Sequence, residues 1–460
     1  LALGIVFSMG GFSSIKAEGT VLNITKAQAV ETAADNSSQM GKVNTAIATI
    51  NRNIIKYDEL SDDLDDLENQ INDYRDAYEK LNDPANQAAY KSLKTLKAAY
   101  VQYDAEGNAA MIAYLDSQNP YHSEANLDAV IKGIEDNIAQ LNAAGKKLKD
   151  AGLADENLAP KALTVQDYYD KFQYGKIMPP IIARDMLSKA NLQKSVVETA
   201  IDVKVQQAYD NILYAEEGLA LTQKLYDTQL NEYNQFLEQY KQGLCSEVEK
   251  KIADIGITKL KFQLENLQRQ VDSGKIQFNQ ALGVDLETKY NFVDEKTSYS
   301  APKAYDEYLK SALANRAEIL AAKIDIDEKQ KNFDLASKYF GSDELTYQKA
   351  DQELFKAKSD YDSICKQVEL EIQQGYLQLN EKQSEKQLAD TKLKQAQTQY
   401  NNAKVSFDAG VLSISTLWNA ELGVNQAQMN ANKALRDYNN TFYEFKQNCK
   451  TGTEYVMEGA

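Results

Sequence analysis

The chain has 460 residues, with 51 basic against 68 acidic side chains, a formal net charge of −17, one histidine and three cysteines. An acidic chain without clustered Lys and Arg is excluded as a nucleic-acid binder, because phosphate neutralisation needs basic groups gathered on one face. A lone His122 excludes multi-histidine zinc sites, and the scattered, odd-numbered Cys245, Cys365 and Cys449 fit neither a disulfide framework nor a metal-ligand spacing.

The first element, Leu1-Ala2-Leu3-Gly4-Ile5-Val6-Phe7 and on to Phe12, is apolar and is followed by Ser13-Ser14-Ile15-Lys16-Ala17. This pattern reads as the apolar region and small-residue cleavage site of a secretory signal, with cleavage expected after Ala17. An uncleaved membrane anchor is the alternative for the same residues. No other run approaches the ~20 apolar residues of a membrane-spanning helix.

From about Tyr57 to Met178 the apolar residues keep a helical period. Leu60, Leu64, Leu67, Ile71, Tyr74, Tyr78 and Leu81 recur at alternating steps of four and three, as do Ile131, Ile134, Ile138 and Leu141. The run Asp62-Asp63-Leu64-Asp65-Asp66 puts its carboxylates between the stripe positions, on what reads as a solvated helix face. Prolines 84, 120, 160, 179 and 180 fall in this first part of the chain, and only Pro302 follows. The stretch from Ile181 to Gln242, uninterrupted by proline, would rise ~90 Å if wholly helical at ~1.5 Å per residue.

That stretch opens an internal repeat. Tyr209 is followed by Gly243, within Tyr240-Lys241-Gln242-Gly243-Leu244-Cys245-Ser246, and Tyr376 is followed at the same interval by Gly410, within Phe407-Asp408-Ala409-Gly410-Val411-Leu412-Ser413. Equal intervals at both anchors imply two copies of one structural unit. Ahead of each glycine runs a heptad seam: Tyr226, Gln229, Tyr233, Phe236 and Tyr240 in the first copy, and Leu393, Ala396, Tyr400, Ala403 and Phe407 in the second. Only Gln229 breaks the apolar rule. The seam resumes after the glycine as Ala253, Ile257, Leu260, Leu264, Leu267 and Val271, and as Leu417, Ala420, Val424, Ala427, Ala431, Ala434 and Tyr438. Each copy is therefore expected to be an antiparallel coiled-coil hairpin folded at its glycine, which tolerates the left-handed conformation that ends helices. Ser246 with Glu249 forms a capping box for the returning helix, and Ser413 offers the same cap without an acidic partner. An ordinary helix-turn-helix corner accounts for these residues as well as a functional turn does.

Other motifs join the repeat. Leu22-Asn23-Ile24-Thr25-Lys26-Ala27-Gln28-Ala29 near the start, and Ala304-Tyr305-Asp306-Glu307-Tyr308-Leu309 at the opening of the second half, resemble the segment that opens each half in the TolC family of outer-membrane efflux and type I secretion channels. The family's "A-Y" pair, "G-x-x-S" turn and closing "L-G" are matched by Ala208-Tyr209, Gly243 to Ser246, Leu282-Gly283 and, in repeat, Tyr376 and Gly410 to Ser413. The resemblance covers about residues 22–56 and 181–447. It implies a homotrimer whose hairpins build one helical tunnel. It also implies partners, namely an extracytoplasmic adaptor and an inner-membrane exporter. The turns Gly243, Leu244 and Ser246 with Gly410, Val411, Leu412 and Ser413 would then form the adaptor-facing tip.

The chain departs from the family where barrel strands belong. The connection Ser337 to Thr346 is too short for two strands of the ~9–11 residues that cross a bilayer, and the corresponding part of the first half carries the helical stripes of residues 57–178. The expected fold is all-α: two repeats of long antiparallel coiled-coil hairpins without a transmembrane β-barrel. The expected organisation is a signal remnant at 1–17, a first repeat at 18–300 with an insertion at about 57–178, a second repeat at 301–447 and a tail at 448–460. Without a Walker loop, dinucleotide fingerprint, ligand cluster or nucleophile–base pair, no enzyme, cofactor or metal is expected. A non-enzymatic export component of the cell envelope is the expected role, and a structural coiled-coil scaffold is the alternative.

Overall fold

The computed structural model describes residues 21–293 and 298–456. The signal-like segment and its cleavage site lie outside them. In chain order the elements are β1 (Leu22–Ile24), α1 (Lys26–Asn36), α2 (Ser38–Asn82), α3 (Pro84–Ala105), α4 (Ala109–Gln118), α5 (Glu124–Asp150), α6 (Val165–Tyr168), a π-helical turn (Tyr169–Tyr174), α7 (Gly175–Lys241), α8 (Glu247–Leu282), β2 (Tyr290–Phe292), α9 (Tyr305–Asn315), α10 (Ala317–Ser337), α11 (Leu345–Asp408) and α12 (Ile414–Asn448). The fold is all-α apart from one small strand pair. No helix among the described residues is long and apolar enough to cross a membrane.

The backbone forms two compact units. One holds the described residues up to Thr49, then Leu187–Asp327 and Phe355 onward, and the other holds Ile50–Met186 with Glu328–Leu354.

The first unit contains both hairpins, each closed at its base by a short helix. In the first copy α1 lays Ala29 and Ala33 against Val205, Tyr209 and Ile212 of α7 and Phe278 and Leu282 of α8. In the second, Tyr308 and Ala312 of α9 pack with Val368, Ile372 and Leu379 of α11 and Tyr438, Phe442 and Phe445 of α12. Phe278 and Phe445 stand at the repeat interval, so the duplication extends from the turns to the base. Thr25 starts α1 with a capping box to Gln28. The strand pair escaped the sequence reading, because three residues per strand leave no alternation to detect. β1 and β2 are parallel, with Leu22 opposite Tyr290 and Ile24 opposite Phe292, and the buried Tyr209 hydroxyl pins them, 2.7 Å from the Ile24 carbonyl and 2.8 Å from that of Val293. Beside it Lys26 Nζ meets Asp210 Oδ1 at 2.7 Å in a nearly buried ion pair. In the second hairpin Gly375 passes so close to α12 that an added Cβ would lie 2.8 Å from the Phe445 ring.

The second unit is helical throughout the stripes read from the sequence. Ile71 and Tyr74 of α2 are buried with Leu148 of α5 and Phe172 of the π-helical turn, while Asp62, Asp63, Asp65 and Asp66 are exposed. Asp83 caps α3, and Pro84 takes a first-turn position where its missing N–H costs nothing. Tyr100 of α3 is fully buried with Leu115 of α4 and Leu127 of α5. The short connection after α10 turns on buried Phe340, whose ring meets Tyr169 edge-on at 4.9 Å. The proline-free stretch from Ile181 is helical to Lys241, and α7 begins still earlier, at Gly175, and contains Pro179 and Pro180. An interior proline costs ~3 kcal/mol locally, but here Met178 and Pro180 are buried and the helix continues directly from the π-helical turn, so tertiary packing overrides the local penalty.

Candidate functional site

The two predicted turns share one backbone pattern. Gly243 and Gly410 adopt φ of 73° and 74°. The Gly243 N–H donates to the Tyr240 carbonyl at 2.9 Å and the Leu244 N–H to that of Gln239 at 3.0 Å; the matching bonds of the second turn run from Gly410 to Phe407 at 2.8 Å and from Val411 to Ser406 at 2.9 Å. This is the Schellman motif, which satisfies the last carbonyls of a helix and requires a left-handed residue at the glycine position. Ser246 then caps α8 in a reciprocal box with Glu249. Ser413 caps α12 through the Thr416 N–H, with neighbouring hydroxyls in place of a carboxylate.

A Schellman turn ordinarily packs the residue after its glycine against the preceding helix. Both copies leave it exposed instead, Leu244 at 71% and Val411 at 77%; Leu412 is half-buried. Beneath the turns the hairpins are joined. Phe236 of α7, Ala253 of α8 and Trp418 of α12 form one buried cluster, flanked by Tyr233, Cys245, Ile257 and Ile414. Because Cys245 belongs to the first turn and Ile414 adjoins Ser413, this cluster places the two turns at one end of the unit.

Along α7 and α12 the seam between hairpins carries polar contacts where the seams within them are apolar. Gln206 Nε2 donates to the Tyr443 hydroxyl at 2.7 Å, Gln229 Nε2 to Glu421 Oε2 at 3.1 Å, and Trp418 Nε1 to Glu232 Oε2 at 2.5 Å. The partners retreat along α12 as they advance along α7, so these helices run antiparallel. Sequence reading missed Trp418, Glu232 and Glu421, and its one signal was Gln229, the polar break in a heptad seam. Gln229 is 4% exposed, and its amide serves the other hairpin.

Glu421 makes this seam sensitive to pH. Burial pushes its carboxyl above the usual range; the Gln229 amide opposes that shift, the Glu232 charge adds to it and Lys404 opposes it. A raised folded-state pKa means stability that is complete below the ordinary carboxylate value and is lost as pH rises through the folded value. Glu421→Gln removes that loss and keeps an acceptor for Gln229. At pH 7 the variant is expected to unfold at higher urea than the wild type, with the difference vanishing near pH 4. An equal midpoint at both pH values would contradict this account.

Elsewhere the titratable groups offer little chemistry. Burial pushes the Cys449 thiol up to about 12, which removes it as a nucleophile near neutral pH. Among the described residues no group of His, Cys, Asp and Glu is placed to hold a metal ion.

No family model and no curated protein matches the chain. Among solved structures it is similar to the CmeC outer membrane channel of Campylobacter jejuni, at 12% identity and a TM-score of 0.48, over 62% of this chain and 70% of that one. It is similar to the outer membrane protein VceC of Vibrio cholerae, at 13% identity and 0.46, over 62% and 77%. It is also similar to CusC, at 13% identity and 0.49, over 62% and 75%. These three are TolC-family outer-membrane proteins.

Proposed function

We propose that the chain is a non-enzymatic, TolC-like component of an efflux or export system in the cell envelope. Three copies close their hairpins into a helical conduit, and the paired turns meet an extracytoplasmic adaptor linked to an inner-membrane exporter. The observation that carries this reading is the duplicated turn. Two Schellman turns of one geometry, at one end of the unit, each present an aliphatic side chain to solvent where such turns ordinarily bury it. A corner with no further duty has no reason to expose the same position twice.

Closure into a ring draws support from the faces the hairpins leave open. On α8 a second stripe, Val248, Ile255 and Phe262, is exposed beside the packed one, and on α11 Leu370, Leu377 and Val405 are exposed. Val248, Ile255 and Phe262 recur every seven residues, the spacing that seats a partner helix. Different faces on the two helices make a head-to-tail contact, which forms a ring when the rotation closes.

The test is the solution mass of the chain from Glu18, measured by light scattering without detergent. A trimer is the expected result. A monomer, or an open filament without a fixed mass, would overturn the conduit and favour the scaffold reading.

A further inference from the structure

In the second unit, α5 is covered unevenly. Its early residues Leu127 and Ile131 are buried under α3 and α4 at 0% and 8% exposure, and Leu148 near its end is buried against α2 at 3%. Between them Ile134, Ile138 and Leu141 are only half-buried. Across from them α2 runs on to Asn82 without closing over these three side chains. The result is a groove of about 810 Å³ between α2 and α5, floored by Tyr74, Ala77 and Leu81 on one side and Ile134, Ile138 and Leu141 on the other. This volume lies within the ~300–1,000 Å³ of small-molecule sites, which are likewise mostly apolar with a few polar groups that fix orientation.

The polar rim gives the occupant its charge. Lys80 stands on the α2 wall and Lys147 on the α5 wall, and among the described residues neither is engaged in an ion pair. Asp73 is the one carboxylate at the rim. Two of the three charged side chains that line the groove are therefore lysines, over an apolar floor.

We infer that the α2–α5 groove binds a single-chain amphiphile with an anionic head, its apolar body on the Ile134–Leu141 floor and its head within reach of Lys80 or Lys147. The groove belongs to the second unit and the turns to the first.

Dansylaminoundecanoic acid, an apolar chain ending in a carboxylate, is a suitable probe. Titrated into the full chain and followed by dansyl fluorescence, it is expected to saturate at one site per chain. Ile138→Glu buries an uncompensated carboxylate in the floor and should weaken binding about tenfold or more. Ala77→Leu fills the groove with an apolar side chain compatible with the fold, and should weaken it comparably; it decides the matter if Ile138→Glu does not fold. Lys80→Glu with Lys147→Glu should weaken the acid and leave an uncharged dansyl alkylamide unaffected. Lys392→Glu, exposed in the other unit, should change nothing. Absence of saturable binding, or wild-type affinity in Ala77→Leu, would overturn the site. Undiminished binding in the double lysine variant would overturn the anionic head. Loss of self-association in Ile138→Glu, with no probe binding by the wild type, would instead assign the groove to a second copy of the chain.

Discussion

Replacing both Gly243 and Gly410 with valine is expected to abolish binding to the adaptor proposed for these turns, while far-ultraviolet circular dichroism stays close to the wild-type signal. Both glycines sit at positive φ, and an added Cβ would meet nothing within 4 Å at either position. The penalty is therefore conformational: a left-handed residue with a Cβ costs ~1–2 kcal/mol, and β-branching makes the position more restrictive. Each turn must open to relieve it, which moves the residue after the glycine and the Ser246 or Ser413 cap out of register. The helices themselves, held by seams far from the turns, keep their content. Co-purification with the adaptor from the native host is the measurement. If the adaptor is retained by a folded double variant, the turns are corners and the docking assignment fails.

Trp418→Ala is expected to destabilise the first unit by ~3–5 kcal/mol, the range for removing a large buried aromatic side chain. Trp418 is 5% exposed, rests on Gly256, where an added Cβ would lie 3.6 Å from its ring, and donates its indole N–H to Glu232. Truncation thus empties the cluster that joins the hairpins and deprives Glu232 of its donor. Trp418→Phe keeps much of the apolar volume and loses the hydrogen bond, so it should fall between wild type and alanine. As the chain contains one tryptophan, its fluorescence reports this junction alone, and a red shift on urea titration marks the hairpins separating there. A Trp418→Ala variant within about 1 kcal/mol of wild type, well below the usual cavity range, would show that the hairpins are held together elsewhere.

The polar seam and the apolar cluster at Trp418 hold the two hairpins together by different means. Within a hairpin, removing an apolar side chain leaves a cavity. Between hairpins, exchanged hydrogen bonds such as Gln229 to Glu421 have near-equivalent partners in water, and each contributes only ~0.5–1.5 kcal/mol net. These bonds contribute geometry more than energy to the interface, and the Trp418 cluster supplies its apolar contact.

Sequence alone determined the hairpins and their ends. A heptad seam and its return are local patterns, and a hairpin's register follows by reflection about the turn: Tyr233 bonds to Asp254 across Gly243. The glycine at positive φ and the Ser246 to Glu249 box are local as well, since steric and capping preferences act over a few residues. Tertiary structure alone decided which helices of different hairpins lie together. Gln229 and Glu421 stand 192 positions apart, and the internal repeat relates equivalent positions of the hairpins, not the contacts between them. It also decided that Pro179 and Pro180 enter α7, that three residues after the signal-like region pair with β2, and that Ile134, Ile138 and Leu141 of α5 stay half-buried. Each of these turns on burial against a remote surface, whose energy outweighs the local preference of the few residues concerned.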